Sequence, residues 1–424
     1  MKKVIILLII IFLGASSYYF YNNIYIPSQK PTLEIEKNKV IITKYYIYGT
    51  HLNIEGKIKK INAKFKTIDL ILWNTKTGKI KKYKINYNKN INNVDFNISD
   101  EINKGIYLDD INKGNYELFL RFTYEDKKEK TYKYYSLDNT TDYKKITYYS
   151  LSKTNNKIII SKDDSTMTMN IKENSDKNIY DVVIDPSAGG IDKGSIGNGH
   201  KESDITLEYA NKIKEKLEEK KIKVKLTRTK DSLKDNEYFD EYNDGGRAVI
   251  PHEVNAKYLF SLEASSSTNK GIQGFGISTA VGINYDFVAN IVENITNKTG
   301  MKTSSATYHR MDYGIYSHNF TETEIKQNMA YYDKKGYKRY NVTTSSNYLY
   351  MIREPGGIIT GAYVDDSNPE KVGVNKYYNS NIGVESYIIN LGYLTNSEDI
   401  SIITNKQNEY IEAISNSIIE ELKY

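Results

Sequence analysis

The sequence predicts an α/β carboxyl-terminal domain with a mainly parallel sheet, an all-β sandwich-like domain before it, and an N-terminal transmembrane helix. About seven short alternating or apolar runs, separated by Asn, Gly, Asp and Lys clusters, lie within residues 31–137, as in an immunoglobulin-like sandwich. From Tyr180 onward strand and helix patterns alternate, which indicates an α/β fold. The predicted divisions are a signal anchor at 1–23, a β-sandwich at 31–137, a linker at 138–178 and the α/β domain at 179–424.

The N-terminal segment predicts a membrane location. Lys2 and Lys3 precede an apolar run at 4–20, and aromatic residues at 18–21 resemble an interfacial belt. With these aromatic residues the run approaches the ~20 residues that span a bilayer. We therefore expect an uncleaved single-pass anchor in the cell membrane, with the bulk of the chain extracytoplasmic. A cleaved signal peptide is the alternative, although Gly14 to Ser17 form a poor cleavage site because aromatic residues follow at once.

Composition excludes several classes of protein. The 424 residues carry 59 Lys and Arg against 53 Asp and Glu, and the net charge of +6 is spread along the chain without a dense basic block. Nucleic acid is therefore not an expected partner. Since the chain has no cysteine, disulfides, Cys nucleophiles, thiolate zinc sites and a lipid-modified cysteine are excluded.

In the α/β domain, four predicted strands end in polar residues. Ligands of such sheets bind beyond the carboxyl ends of the strands. The residues at these ends are Asp185, Arg228, Glu263 and Asn390.

Six motifs in the same domain resemble a known family. They are IDPSAGG at 184–190, a glycine cluster leading to Glu202, LTR at 226–228, GGRA at 245–248, LFSLEAS at 259–265 and INLGYLTNSED at 389–399. In order and spacing they resemble the zinc-dependent N-acetylmuramoyl-L-alanine amidases of the Amidase_3 type. The resemblance covers about residues 179–424 and leaves the first 178 outside it.

The resemblance implies a defined chemistry. The family binds one zinc ion through His, Glu and His, and a further glutamate near the end of the last strand acts as general base or stabiliser. The bond that is cut joins the lactyl group of N-acetylmuramic acid to L-Ala of the stem peptide. Zinc lowers the pKa of its bound water toward neutrality and polarises the amide carbonyl.

Carried over to this chain, the family's four functional positions are mostly replaced. The first histidine corresponds to Ala188, the glutamate ligand to Glu202, the second histidine to Glu263 and the catalytic glutamate to Asn390. Only Glu202 is kept. Alanine has no donor atom and asparagine cannot act as a base, so we expect no intact catalytic set, no metal and no other cofactor, although the family uses zinc.

Other residues are candidates for the rim of the groove. Asp185, His200 and Arg247 are predicted to line it or to orient its side chains. Two facing carboxylates, Glu202 and Glu263, suit Ca²⁺ or Mg²⁺ better than Zn²⁺. The histidine pair in the Tyr-rich insertion, at positions 309 and 318, is a weak metal signal.

The expected function is a catalytically inactive amidase homologue that binds peptidoglycan, or that regulates or scaffolds cell-wall or sporulation machinery proteins. One alternative is a working amidase with an atypical site around Glu202, Glu263 and His200. The other is a structural envelope protein whose amidase-like domain binds another protein.

Overall fold

The computed structural model describes most of the chain from residue 35 onward. The described ranges are 35–231, 245–306, 310–317, 349–362 and 375–424, with short gaps at 38, 60, 62–63, 90–92, 99–104, 127–128, 141–143, 163–165, 177, 191 and 281–283, and the isolated residues Gly14, Ser16, Ser17, Thr323, Lys326 and Ala330. The chain divides into two compact units. The first comprises 1–45, 53–148 and 156–174, and the second 46–52, 149–155 and 175–424.

The strands before residue 175 are mostly short and alternate between buried and exposed side chains. In chain order they are β1 (Ile35–Glu36), β2 (Val40–Tyr48), β3 (His51–Lys59), β4 (Thr67–Asn74), β5 (Ile80–Lys84), β6 (Asn86–Lys89), β7 (Asn93–Asn97), β8 (Ile106–Tyr107), β9 (Gly114–Asp126), β10 (Glu129–Ser136), β11 (Asn139–Thr140), β12 (Ile146–Tyr149), β13 (Asn156–Lys162) and β14 (Met167–Glu173). A short 3-10 helix, Leu108–Asp110, follows β8.

These strands form two sheets. One has the order β1-β10-β9-β14-β13-β12, with β4 paired to β9 and β5 to β4. The other has the order β11-β2-β3-β7-β6, with β8 paired to β3. Trp73 on β4 is 3% exposed and its ring lies 6.4 Å from that of Phe119 on β9, so it is a core residue, as its apolar strand predicts.

The segment predicted as a linker, 138–178, carries strands. Its β13 and β14 pair as an antiparallel hairpin, and β14 pairs with β9 through Thr168 and Glu117. Alternating burial explains this, because Ile158, Ile160 and Met169 point into the core while their neighbours do not.

The second unit contains the remaining strands and all the regular helices described from residue 175 onward. The strands are β15 (Val182–Pro186), β16 (Ile196–Gly197), β17 (His200–Lys201), β18 (Val224–Leu226), β19 (Tyr258–Ser265), β20 (Gly276–Ser278), β21 (Arg310–Asp312), β22 (Ile315–Tyr316), β23 (Ile382–Gly383) and β24 (Glu385–Tyr393). The helices are α1 (Glu202–Glu219), α2 (Ile250–Glu253), α3 (Tyr285–Thr299), α4 (Tyr350–Arg353), α5 (Ser397–Asn405) and α6 (Gln407–Glu421), with a 3-10 helix at Gly357–Ile359.

The main sheet of this unit has the order β18-β15-β19-β24-β20-β22-β21. The first four strands run parallel, β20 is antiparallel to β24, and β21 is antiparallel to β22. The prediction of an α/β domain with a mainly parallel sheet is therefore confirmed. Residues of β15 are buried throughout, since α1 covers one face of the sheet and α2 and α4 pack on the other. This arrangement brings the carboxyl ends of β15, β19 and β24 to one edge.

The prediction of a membrane-spanning helix, and with it a single-pass membrane location, is contradicted. Within the described part of the chain, no helix is long and apolar enough to cross a bilayer. The longest, α1, has 18 residues and carries Lys and Glu side chains along its outer face, whereas a span requires ~20 mainly apolar residues. Of the predicted anchor at 1–23, only Gly14, Ser16 and Ser17 are described, and the rest lies outside the described residues.

Candidate functional site

The turn that follows β15 has an unusual backbone. Ala188 has φ of +59° and is 7% exposed, although non-glycine residues are uncommon in this region. Ser187 fixes the start of the turn, because its N–H donates to the Leu262 carbonyl (2.9 Å) and its carbonyl accepts from the Thr206 hydroxyl (2.8 Å). At Gly189, with φ of +143°, an added Cβ would lie 2.8 Å from Nε of Arg228. The tip of the turn is thus held tightly from both sides.

Ala188 and Glu202 border the same small space. Gly194 lies between them, and an added Cβ there would be 2.8 Å from the Ala188 Cβ and would overlap the Glu202 carboxylate. The structure therefore brings Ala188 and Glu202 close together. The resemblance assigns these two residues to the first histidine and the glutamate ligand of the family. The Ala188 methyl group is the only side-chain atom that this position offers.

Glu202 is the first residue of α1 and is 7% exposed. Its Oε2 accepts from the Ser195 N–H (2.8 Å) and its Oε1 from the Ala264 N–H (3.1 Å). Burial raises the pKa of this carboxyl above its usual value, although the two backbone N–H groups act in the opposite direction. Glu202 therefore links the loop before α1 to the end of β19.

Glu263 and Asn390 lie opposite each other across the β19–β24 pair. The Asn390 amide is engaged, because Nδ2 donates to the Ser265 hydroxyl and Oδ1 accepts from the Gly392 N–H (3.1 Å). Glu263 is half-buried and has no hydrogen bond or ion pair within the described ranges. Burial, and then the charge of Glu202, raise the pKa of Glu263 to about 7, while Arg247 acts against them.

Asp185, near the end of β15, forms an ion pair at this edge of the sheet. It is fully buried and binds the Arg247 guanidinium at two points, Nε to Oδ1 (2.8 Å) and Nη2 to Oδ2 (2.6 Å). The hydroxyls of Ser261 and Thr227 also donate to it, each at 2.6 Å. Burial on its own would raise the pKa of Asp185, but Arg247 and the two hydroxyls outweigh it and hold the pKa below its usual value. Asp185 and Arg247, which the sequence predicts to line the groove or orient its side chains, thus form an ion pair with each other.

The other two predicted residues have different surroundings. Arg228 is 6% exposed, and its guanidinium donates to the carbonyls of Pro186 (3.0 Å) and Ser203 (2.7 Å), so it ties the turn to α1. His200 lies on the β16–β17 hairpin, half-buried, and its imidazole makes no hydrogen bond or ion pair with other described residues. Positions 309 and 318 lie outside the described residues.

The residues present at this edge do not fit a zinc ion. Zinc sites in proteins use three or four N, S or O donors from side chains. Ala188 contributes none and the Asn390 amide is committed to Ser265 and Gly392, which leaves two carboxylates, Glu202 and Glu263, and no imidazole. In the part of the chain that the structure describes, no three His, Cys, Asp or Glu residues are grouped for a metal ion.

Sequence reasoning missed the groups that support the edge. Thr206, Thr227 and Ser261 hold the turn and Asp185 through their hydroxyls. Each is an ordinary polar residue in a helix, turn or strand, and only the fold shows its partner. For Ser261 the sequence offers one signal, its place within the apolar run of β19, which is typical of a strand buried on both faces.

Glu263→Gln is expected to stabilise the protein above pH 7. The folded chain keeps the Glu263 proton up to about pH 7, whereas the unfolded chain loses it near the ordinary value of 4.5. The free energy of unfolding of the natural protein therefore falls as pH rises through this window. A tenfold change in acidity corresponds to about 1.4 kcal/mol, so after discounting for partial exposure we expect the variant to gain about 2 kcal/mol at pH 8.

Urea unfolding at a series of pH values measures this gain. Glu409→Gln, at an exposed position on α6, is the matched control and should follow the natural protein. A gain at pH 8 no larger than that at pH 4 would contradict the raised pKa of Glu263.

Comparison with known proteins identifies the class of this α/β unit. The family model for N-acetylmuramoyl-L-alanine amidase, Amidase_3, matches residues 182–420, which is more than half of the chain. The chain therefore belongs to the Amidase_3 family of N-acetylmuramoyl-L-alanine amidases.

Individual relatives match shorter parts. The chain is 32% identical over 125 residues to N-acetylmuramoyl-L-alanine amidase AmiA of Escherichia coli (strain K12), covering 28% of this chain and 40% of that protein. It is 33% identical over 97 residues to AmiA of Salmonella typhimurium, covering 23% of this chain and 31% of that protein. The match thus spans less than half the length of these curated relatives. Among solved structures, the N-acetylmuramoyl-L-alanine amidase AmiC2 of Nostoc punctiforme is 20% identical with a TM-score of 0.38, covering 59% of this chain and 100% of that chain.

Proposed function

We propose that the α/β unit is a non-hydrolytic member of its family that binds peptidoglycan. The observation that carries the proposal is Ala188, whose methyl group borders the same space as Glu202. The resemblance assigns the position of Ala188 to the family's first histidine ligand. A hydrolase of this type needs the metal to generate its nucleophile. Loss of a general base alone costs ~10²–10⁴ in rate, and Asn390 stands where the family has its glutamate.

The framework around the site supports retention of a binding surface. Asp185 with Arg247, and Arg228 with the backbone of the turn, hold the edge in one conformation. The groove beside it is lined by hydroxyl groups, an amide and aromatic rings. The aromatic rings suit a polymer of sugars and peptides, because rings pack on its sugar faces.

The test uses the purified chain and purified sacculi. We expect co-sedimentation with sacculi, no release of stem peptides by chromatography, and no stoichiometric zinc in the protein. Chitin, which has related sugars but no peptides, is the control polymer. Release of stem peptides would overturn the non-hydrolytic assignment, and failure to co-sediment would overturn glycan binding in favour of a protein partner in the cell-wall machinery.

One observation favours a second candidate, hydrolysis at an atypical site. A carboxyl group whose pKa is raised to about 7, as that of Glu263 is, matches the requirement for proton transfer near neutrality. In that case sacculi should release stem peptides, and Glu263→Gln should lower the rate at least ~100-fold.

A further inference from the structure

A cavity of about 340 Å³ opens beside Glu263 at the carboxyl edge of the sheet. Its volume is at the lower end of the ~300–1,000 Å³ typical of small-ligand sites. The cavity is open because several residues that line it are small, namely Gly274, Gly276, Ser278 and Ala306. At Gly276 an added Cβ would lie 2.7 Å from the Tyr316 ring, so a side chain there would intrude.

Several polar groups that line the cavity are already paired within the protein. The Tyr316 hydroxyl donates to the carbonyls of Ser304 and Ala306, both at 3.0 Å. The Ser304 hydroxyl accepts from the Ala306 N–H (3.2 Å), and the Asn390 amide donates to Ser265. In contrast, Glu263 has no hydrogen bond or ion pair among the described residues. The cavity therefore presents one carboxylate that still requires a partner.

No cation of the described protein supplies that partner. None of the described residues that line the cavity is Lys, Arg or His. Arg247 is the cation that acts on Glu263, but its guanidinium is held by Asp185 at 2.8 and 2.6 Å. Glu202 and Asp185 add negative charge from the side of α1 and β15. A half-buried carboxylate in such surroundings favours a cationic ligand.

We propose that this cavity binds a primary ammonium group carried by a peptide, with the Glu263 carboxylate as its counter-ion. An ammonium has three N–H donors and no acceptor, which matches an acceptor carboxylate. The rings of Tyr316 and Tyr393, which also line the cavity, offer faces that attract a cation. A metal ion is a poorer fit, because Ca²⁺ takes 6–8 oxygen ligands and, of the described residues that line the space, Glu263 alone has a carboxylate.

The ligand class follows from the proposed function, on which the inference rests. The peptides of a sugar-peptide polymer are the part that carries free amines, so the ammonium is assigned to the peptide and not to the glycan. The cavity would then hold the amine of a diamino-acid side chain.

The test measures binding of two short peptides by calorimetry at pH 8. One is Ala-Glu-Lys-Ala with a free lysine amine and a blocked N-terminus, and the other is the same peptide acetylated on the lysine. We expect the free amine to bind at least tenfold more tightly. Glu263→Gln should abolish this difference, whereas the exposed-site control Glu409→Gln should keep it. Equal binding of the two peptides, or an undiminished difference in Glu263→Gln, would overturn the ammonium site.

Sacculi separate this inference from the proposed function. If native and amine-acetylated sacculi co-sediment equally well with the natural chain and with Glu263→Gln, peptidoglycan binding stands and the ammonium site is wrong. If the free-amine peptide binds through Glu263 but sacculi do not co-sediment, the ammonium site stands and peptidoglycan binding is wrong.

Discussion

Ala188→His, Glu263→His and Asn390→Glu together introduce the residues that the resemblance implies at these positions, and we expect the triple variant to bind one zinc ion per molecule. Glu202 already lies beside the Ala188 methyl group, and Glu263 lies opposite Asn390 across paired strands. His is among the residues that tolerate positive φ, so it is compatible with the +59° at position 188. Two imidazoles and one carboxylate make up the ligand set of many catalytic zinc sites.

Zinc content after dialysis, measured by elemental analysis, is the readout. Asn390→Glu alone is the matched control, because it adds the carboxylate without either histidine and should remain free of zinc. A triple variant that is folded by circular dichroism but holds no zinc would show that the positions are wrongly mapped.

The central strands of the α/β unit were predictable because their apolar runs are local signals. β15 and β24 were both expected from such runs, and the ends of these strands located the site. The pairing of β14 with β9 was not predictable, since alternation shows that a strand has two faces but not which distant strand it joins. The edge strands β20 to β22 are two or three residues long, too short for a periodic pattern to be recognised.

Within the site, residue identity shows which side chains lack a metal donor or a base, but not which contacts surround them. That Ala188 has no donor follows from the sequence alone. That both Glu202 oxygens accept backbone N–H groups, and that Glu263 is left with a raised pKa beside a cavity, depends on tertiary contacts.

Asp185→Ala is expected to destabilise the protein by about 3–5 kcal/mol, the largest effect on stability at this site. The substitution leaves Arg247, whose side chain is 18% exposed, without its carboxylate and leaves the hydroxyls of Ser261 and Thr227 without their acceptor. Removing one partner of a buried pair leaves an uncompensated charge, which costs more than the pair itself contributes. The free energy of unfolding in urea at pH 7 measures the loss.

The exposed pair Lys298–Glu412 provides the comparison. Its side chains are 34% and 52% exposed, so Glu412→Ala should cost less than about 1 kcal/mol. Low pH provides a second test of the contribution of Asp185. Since the pKa of Asp185 is lower in the folded than in the unfolded chain, its contribution is present above the unfolded value of about 3.9 and is lost as pH falls through the folded one. The difference between the natural protein and Asp185→Ala should therefore shrink toward low pH, and equal losses in the two variants at pH 7 would contradict a structural role for the Asp185–Arg247 pair.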